Sequence, residues 1–319
     1  MKLEALWGGF GAAAAFIAAV GLATLVKIYG NDNTAVPLAD ITPDPKRFPQ
    51  YIQTKQGHWL FWRKWTVPDP EAVVFLAHGF GEHCGRYEHV AQYLASRKIN
   101  VYAVDHQGHG QSTGTFTFFQ KFEHLVDDFK FFIETTVSTM NDFEKALPKF
   151  LLGHSMGGAV AVHTALLSKN EFTGVILSGP MLAPDASVAT PTRVKMAKMM
   201  SKLLPKLPVG SLDIKTICSD STVVKLALSD RLYSELPMSV AAEVTFRYYV
   251  LFGSDDKIAS VEGISLWHNN TKSPDKKSTC FPGLFHEPFH ERESEEVLDS
   301  VAKWIRDRLT INEPITLSV

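Results

Sequence analysis

From Tyr51 onward, hydrophobic positions follow two alternating rhythms. Short apolar runs of strand length are separated by longer stretches in which apolar residues recur every three or four positions. YIQT and WLFWRKW, parted by Gln56-Gly57, predict an antiparallel hairpin. AVVFLAHG (72–79) and INVYAVD (99–105) are apolar without alternation, as expected of strands buried on both faces. PKFLLG, FTGVILSG, RYYVLFG and KSTCFPG supply further strands. Between them, Tyr87 to Arg97 places Val90, Tyr93 and Leu94 at helical spacing, and AVAVHTALL follows PKFLLG as another helix. Ser294 to Leu309 closes the pattern, with Val297, Leu298, Val301, Trp304 and Ile305 forming one stripe. Strands alternating with helices predict the α/β class, a mostly parallel sheet covered on both faces.

The amino-terminal region breaks this rhythm. Ala5 to Val26 is a run of 22 residues without a charge. A bilayer-crossing helix needs about 20 residues and the apolar part of a cleaved signal about 7–15, so length favours a retained anchor over a signal peptide. Lys2 and Lys27 flank the run symmetrically, which leaves its orientation open. Four prolines (Pro37, Pro43, Pro45, Pro49) then mark a tether. The expected organisation is anchor 1–27, tether 28–49, core 50–181, an inserted segment 182–245, core 246–311 and tail 312–319. It implies single-pass attachment to a lipid bilayer such as that of the endoplasmic reticulum.

Composition narrows the function classes. A chain that is 45% hydrophobic and 21% charged can bury a large core, which excludes disorder. Lys plus Arg number 32 against 34 for Asp plus Glu, a balance with no electrostatic footprint for nucleic acid. Three scattered cysteines (Cys84, Cys218, Cys280) are too few for a disulfide framework or a four-cysteine zinc site.

The sharpest chemical signal is Gly153-His154-Ser155-Met156-Gly157, a G-x-S-x-G pattern between a strand and a helix. A nucleophilic serine on such a turn needs small neighbours, a base, and a carboxylate to orient the base. The expected chain order is Ser, acid, His. VLFGSDD offers Asp255 and Asp256 past one strand; Asp256 is preferred because it lies three residues beyond the strand-ending glycine. FPGLFHE offers His286, preferred over His290 because it is nearer its strand. An oxyanion also needs N–H donors, for which Phe80, in His78-Gly79-Phe80-Gly81, and Met156 are the candidates.

Taken together, HGFGEHCGRY (78–87), DHQGHGQS (105–112), GHSMGG (153–158), GSDD and PGLFH resemble the monoacylglycerol lipase group of serine α/β-hydrolases, which includes lysophospholipase-like members. The resemblance spans about Tyr51 to Leu309. It implies the α/β-hydrolase fold, Ser155 as nucleophile, His286 as base, Asp256 as its orienter, and Phe80 and Met156 as oxyanion donors. It also implies a helical cap between the strands ending near Ser178 and beginning near Phe246. Glu82, Arg86 and the Gly108-His109-Gly110 loop match the group's pattern as residues that shape the site. The implied substrate is monoacylglycerol or a related lipid ester, with no metal or organic cofactor and no obligate protein partner. Within the cap, Lys195, Lys198, Lys202 and Lys206 alternate with Met196, Met199, Met200, Leu203 and Leu204, a pattern suited to a membrane surface.

Two features depart from this picture. The connection before RYYVLFG is short for the group, and Arg247, Tyr248 and Tyr249 stand where aliphatic residues are usual, so a trimmed cap or an imperfectly packed strand is expected. His286-Glu287-Pro288-Phe289-His290 also fits the H-E-x-x-H zinc pattern, but Pro288 opposes the regular helix that pattern requires. Three alternatives follow: a lysophospholipase or other carboxylesterase, an inactive hydrolase-fold binding protein, and, weakest, a metalloprotease.

Overall fold

A computed structural model describes residues 43–44, 46–168, 171–182 and 244–309. The expected anchor (1–27), most of the tether and of the cap, and the tail lie outside these residues. Among the described residues no helix is long and apolar enough to cross a membrane.

The described strands form one sheet in the order β1-β2-β4-β3-β5-β6-β7-β8. They are β1 (Tyr51–Gln53), β2 (Trp59–Trp65), β3 (Ala72–Ala77), β4 (Ile99–Val104), β5 (Lys149–His154), β6 (Gly174–Ser178), β7 (Tyr248–Gly253) and β8 (Lys276–Phe281). The hairpin joins antiparallel, with Tyr51 opposite Phe61 and Trp65 opposite Val101. All pairings from β4 to β8 are parallel; Phe75, for example, lies between Tyr102 and Leu151. The helices are α1 (Glu88–Ala95), α2 (Phe122–Thr139), α3 (Asp142–Ala146), α4 (Met156–Leu167), α5 (Val261–Asn270) and α6 (Ser294–Arg306).

Every residue of β3 through β7 is buried except Lys149, because each strand supplies two cores at once. Val73, Phe75 and Ala77 face α2, α4 and α5, packing with Phe129, Val160 and Trp267. Their neighbours Val74 and Leu76 face α1 and α6, packing with Leu94, Val301 and Trp304. This two-residue period converts an unbroken apolar run into two half-cores. Each large apolar side chain fully buried there contributes about 1.5–3 kcal/mol.

The expectation of an imperfect β7 is corrected. Tyr248 and Tyr249 are fully buried. The Tyr248 ring packs 5.0 Å from Trp267, and its hydroxyl lies 2.9 Å from His268 Nδ1 and 2.7 Å from Thr271 Oγ1. Tyr249 stacks on Trp304 and donates to Ser300 Oγ at 3.0 Å. Aromatic side chains whose polar ends find partners fill the space that aliphatic residues would.

Candidate active site

The carboxyl ends of β3, β5, β7 and β8 converge at one edge of the sheet, where open α/β sheets place their sites. Ser155 occupies the turn from β5 into α4, with φ 50° and ψ −116°. A side chain held there costs about 1–3 kcal/mol, so surrounding bonds must fix it. Its N–H donates to Ser178 O at 3.0 Å, and its carbonyl accepts from Gly158 N at 2.9 Å and Met181 N at 3.0 Å. The flanking glycines are a steric requirement. A Cβ on Gly157 would fall 2.1 Å from Ala77 O, and one on Gly153 would fall 2.3 Å from Gly157 O.

The structure brings three of the sequence-predicted side chains into one line. His286 Nε2 lies 2.9 Å from Ser155 Oγ, and His286 Nδ1 lies 2.9 Å from Asp256 Oδ2. The other Asp256 oxygen accepts from Ile258 N at 2.8 Å and Ala259 N at 2.9 Å. Burial alone would raise the Asp256 pKa, but the charge and hydrogen bond of His286 and these two N–H groups outweigh it and hold the carboxyl below its ordinary value. Burial likewise opposes a charged His286. The adjacent Asp256 carboxylate, helped by Glu287 and Glu82, reverses that and raises the imidazole above its ordinary pKa.

The competing candidates lie elsewhere. Asp255 is exposed and accepts from its neighbour Ser254 Oγ. His290 Nε2 points to Arg86 O at 3.3 Å, on a 3₁₀ turn (Pro288–His290) and not on a helix carrying both histidines.

The candidate oxyanion donors flank Ser155. A Cβ on Gly79 would lie 3.3 Å from Ser155 Cβ, so the Gly79–Phe80 segment passes directly beside Ser155. Among the described residues, neither Phe80 N–H nor Met156 N–H donates to a backbone carbonyl. Glu82 holds this loop, accepting from Gly79 N at 2.5 Å, Tyr87 Oη at 2.7 Å and Arg86 at 2.7 Å. Arg86 then forms a two-pronged pair with Glu287, at 2.8 and 2.9 Å. One guanidinium therefore links the Gly79 loop to the residue beside His286. Glu82 and Arg86 stand out in the sequence as shaping residues. Glu287 does not, because its partner lies 201 positions away.

Residues 68–242 match the family described as serine aminopeptidase, S33. The chain belongs to this family. Monoacylglycerol lipase of Mycolicibacterium smegmatis is 35% identical over 262 residues, covering 77% of this chain and 92% of that protein. Human monoglyceride lipase is 32% identical over 285 residues, covering 81% and 91%. The crystal structure of Paleococcus ferrophilus monoacylglycerol lipase superposes with a TM-score of 0.67 at 27% identity, covering 78% of this chain and 99% of that one. A soluble variant of the Saccharomyces cerevisiae monoglyceride lipase, at 24% identity and TM-score 0.70, shares the fold over 85% of this chain and 97% of that one. The protein is thus a serine ester hydrolase with the α/β-hydrolase fold.

Proposed function

We propose that the protein cleaves monoacylglycerol to fatty acid and glycerol through a Ser155–His286–Asp256 triad and a covalent acyl-enzyme. The observation that carries this reading is the continuous contact from Ser155 Oγ through His286 to Asp256, with both links at 2.9 Å. The monoacylglycerol lipase relatives support the substrate class.

Ser155 Oγ attacks the acyl carbon while His286 Nε2 takes its proton, and Asp256 stabilises the imidazolium that forms. The N–H groups of Phe80 and Met156 receive the developing oxyanion. The carbon–oxygen bond to glycerol then breaks, the leaving oxygen takes the proton from His286, and the acyl group stays on Ser155. Water, deprotonated by His286, attacks the ester and releases fatty acid and serine. Residues 1–27 tether the enzyme to its bilayer-borne substrate, and deleting them releases it from membranes while leaving hydrolysis of a soluble ester intact.

The test is hydrolysis of monoacylglycerol and labelling by a fluorophosphonate, each compared with Ser155→Ala. Loss of a triad nucleophile costs several thousandfold or more. Retained turnover above about 10% of wild type would falsify the assignment. Equal turnover of lysophospholipid would broaden the substrate class to lysophospholipase.

A further inference from the structure

Gly79 is held from both of its polar ends. Its N–H is bound by the Glu82 carboxylate, and its carbonyl oxygen lies 2.7 Å from Nδ1 of the fully buried His78. The other ring nitrogen of His78, Nε2, lies 3.0 Å from the backbone N of His106. These two partners define the tautomer. A backbone N–H can only donate, so Nε2 carries the lone pair; a carbonyl can only accept, so Nδ1 carries the proton. A second proton on the ring would face the His106 N–H head-on.

The Gly79 carbonyl belongs to the same peptide unit as the Phe80 N–H. That unit is planar and trans, so its C=O and N–H point in opposite directions and move together. We propose that His78 is a positioning residue for acyl transfer: by donating from Nδ1 to Gly79 O it aims the Phe80 N–H at the oxyanion formed beside Ser155. This rests on the reading of Phe80 as an oxyanion donor. The loop's other anchor, Glu82, fixes the neighbouring peptide, so Gly79 is clamped between a carboxylate and an imidazole of opposite hydrogen-bonding polarity. The surroundings keep that imidazole neutral. His106 and His109 rings lie 4.5 and 5.5 Å away, and burial pushes His78 well below its ordinary pKa, His106 to about 3 and His109 to about 4.

Two substitutions separate the two bonds. The amide nitrogen of His78→Asn can occupy the Nδ1 position and donate to Gly79 O. The amide oxygen of His78→Gln can reach the Nε2 position and accept from His106 N–H while losing that donor. Losing one oxyanion-hole donor costs roughly 10²–10³ in kcat, so misaiming one is expected to cost about 10–100-fold. The Gln variant should therefore lose about 10–100-fold in kcat with KM within twofold, and the Asn variant should recover most of it. A trifluoromethyl ketone, which forms a tetrahedral adduct on the serine, should weaken in parallel with kcat/KM in the Gln variant, while a non-reactive alkyl glyceryl ether should bind all variants alike. A Gln variant with wild-type kcat, or one whose ketone affinity is unchanged, overturns the proposal.

The wild-type enzyme supplies a measurement independent of how well variants fold. In ¹⁵N-histidine spectra His78 should be a neutral Nδ1–H tautomer throughout the active pH range, and an Nε2–H tautomer overturns the proposal. Wild-type affinity for the ketone distinguishes this failure from failure of the underlying site. A ketone bound no more tightly than its alcohol counterpart by wild type would remove the oxyanion reading itself, whereas tight binding that Gln leaves intact removes only the role of His78.

Discussion

Asp128 sits in the middle of α2, only 2% exposed, and among the described residues its Oδ2 has no hydrogen-bond partner. Burial pushes its pKa from 3.8 to about 7; the nearby Thr54 hydroxyl offsets this in part and the charge of Asp127 adds to it. A pKa raised on folding by this much corresponds to about 4 kcal/mol between the protonated and ionised native forms. The sign follows from proton counting. Between pH 4 and pH 7 the native protein holds a proton on Asp128 that the unfolded chain has lost, so stability falls as pH rises, by up to about 1.4 kcal/mol per pH unit. Above pH 7 both states are ionised and the full penalty remains. Asp128→Asn keeps the shape and removes the titration. In urea unfolding followed by tryptophan fluorescence, the variant should differ little from wild type near pH 4.5 and gain about 2–4 kcal/mol on it by pH 8. The difference between the two proteins isolates this group from the many others that titrate. A variant whose stability runs parallel to wild type from pH 4.5 to 8, or that is weaker at pH 8, would show that burial does not hold a proton on Asp128.

Three other perturbations have definite outcomes. Glu287→Gln removes an anion that raises the His286 pKa, so the acid limb of the kcat/KM profile should move to lower pH; an unmoved limb, or one displaced upward, contradicts the electrostatic account. Arg86→Met leaves Glu82 and Glu287 as buried carboxylates without their shared cation, a change of the kind that costs about 3–5 kcal/mol. The loss should be larger at pH 8 than at pH 5 by thermal unfolding, and equal losses at both would discount the ion pairs. Gly157→Ala drives a methyl group into the β3 carbonyl of Ala77, and soluble, active protein from this variant would show that the turn is far more yielding than its geometry implies.

Strands β3 to β7 are legible because burial on both faces leaves a continuous apolar signature; β8, largely exposed at the sheet edge, lacks that signature, yet it too lies within a few residues of its expected span. Helix α2 is hard to read from its sequence. Its first residues follow an aromatic-rich loop, and Asp128 and Thr136 occupy buried positions of its apolar stripe. The helix after Tyr87 is shorter than its spacing suggests: it starts at Glu88, after the 3₁₀ turn Cys84–Tyr87, and ends at Ala95 with Ser96 as its cap. At the site, Ser155, Asp256 and His286 could be chosen by local context, since each follows a strand and the chain order restricts the choices. The Arg86–Glu287 pair could not, because it joins residues 201 positions apart. The clamp on Gly79 is local, from His78 and Glu82, but the direction of its hydrogen bonds is set by the loop's conformation and not by any pattern of residue types.

The order in which the chain emerges from the ribosome bears on when it can act. Ser155 precedes His286 by 131 residues, and the strands that carry the acid and the base, β7 and β8, are the last two at one edge of the sheet. At about 5–20 residues per second, the interval between synthesis of the serine and of its base is roughly 7–26 s. During it the nascent chain holds a hydroxyl with nothing to deprotonate it, and an ordinary serine is a weak nucleophile. On the proposed triad, addition of the final edge strands is therefore the step that supplies the base. On the proposed triad, a chain terminated between Ser155 and His286 carries the serine without its base.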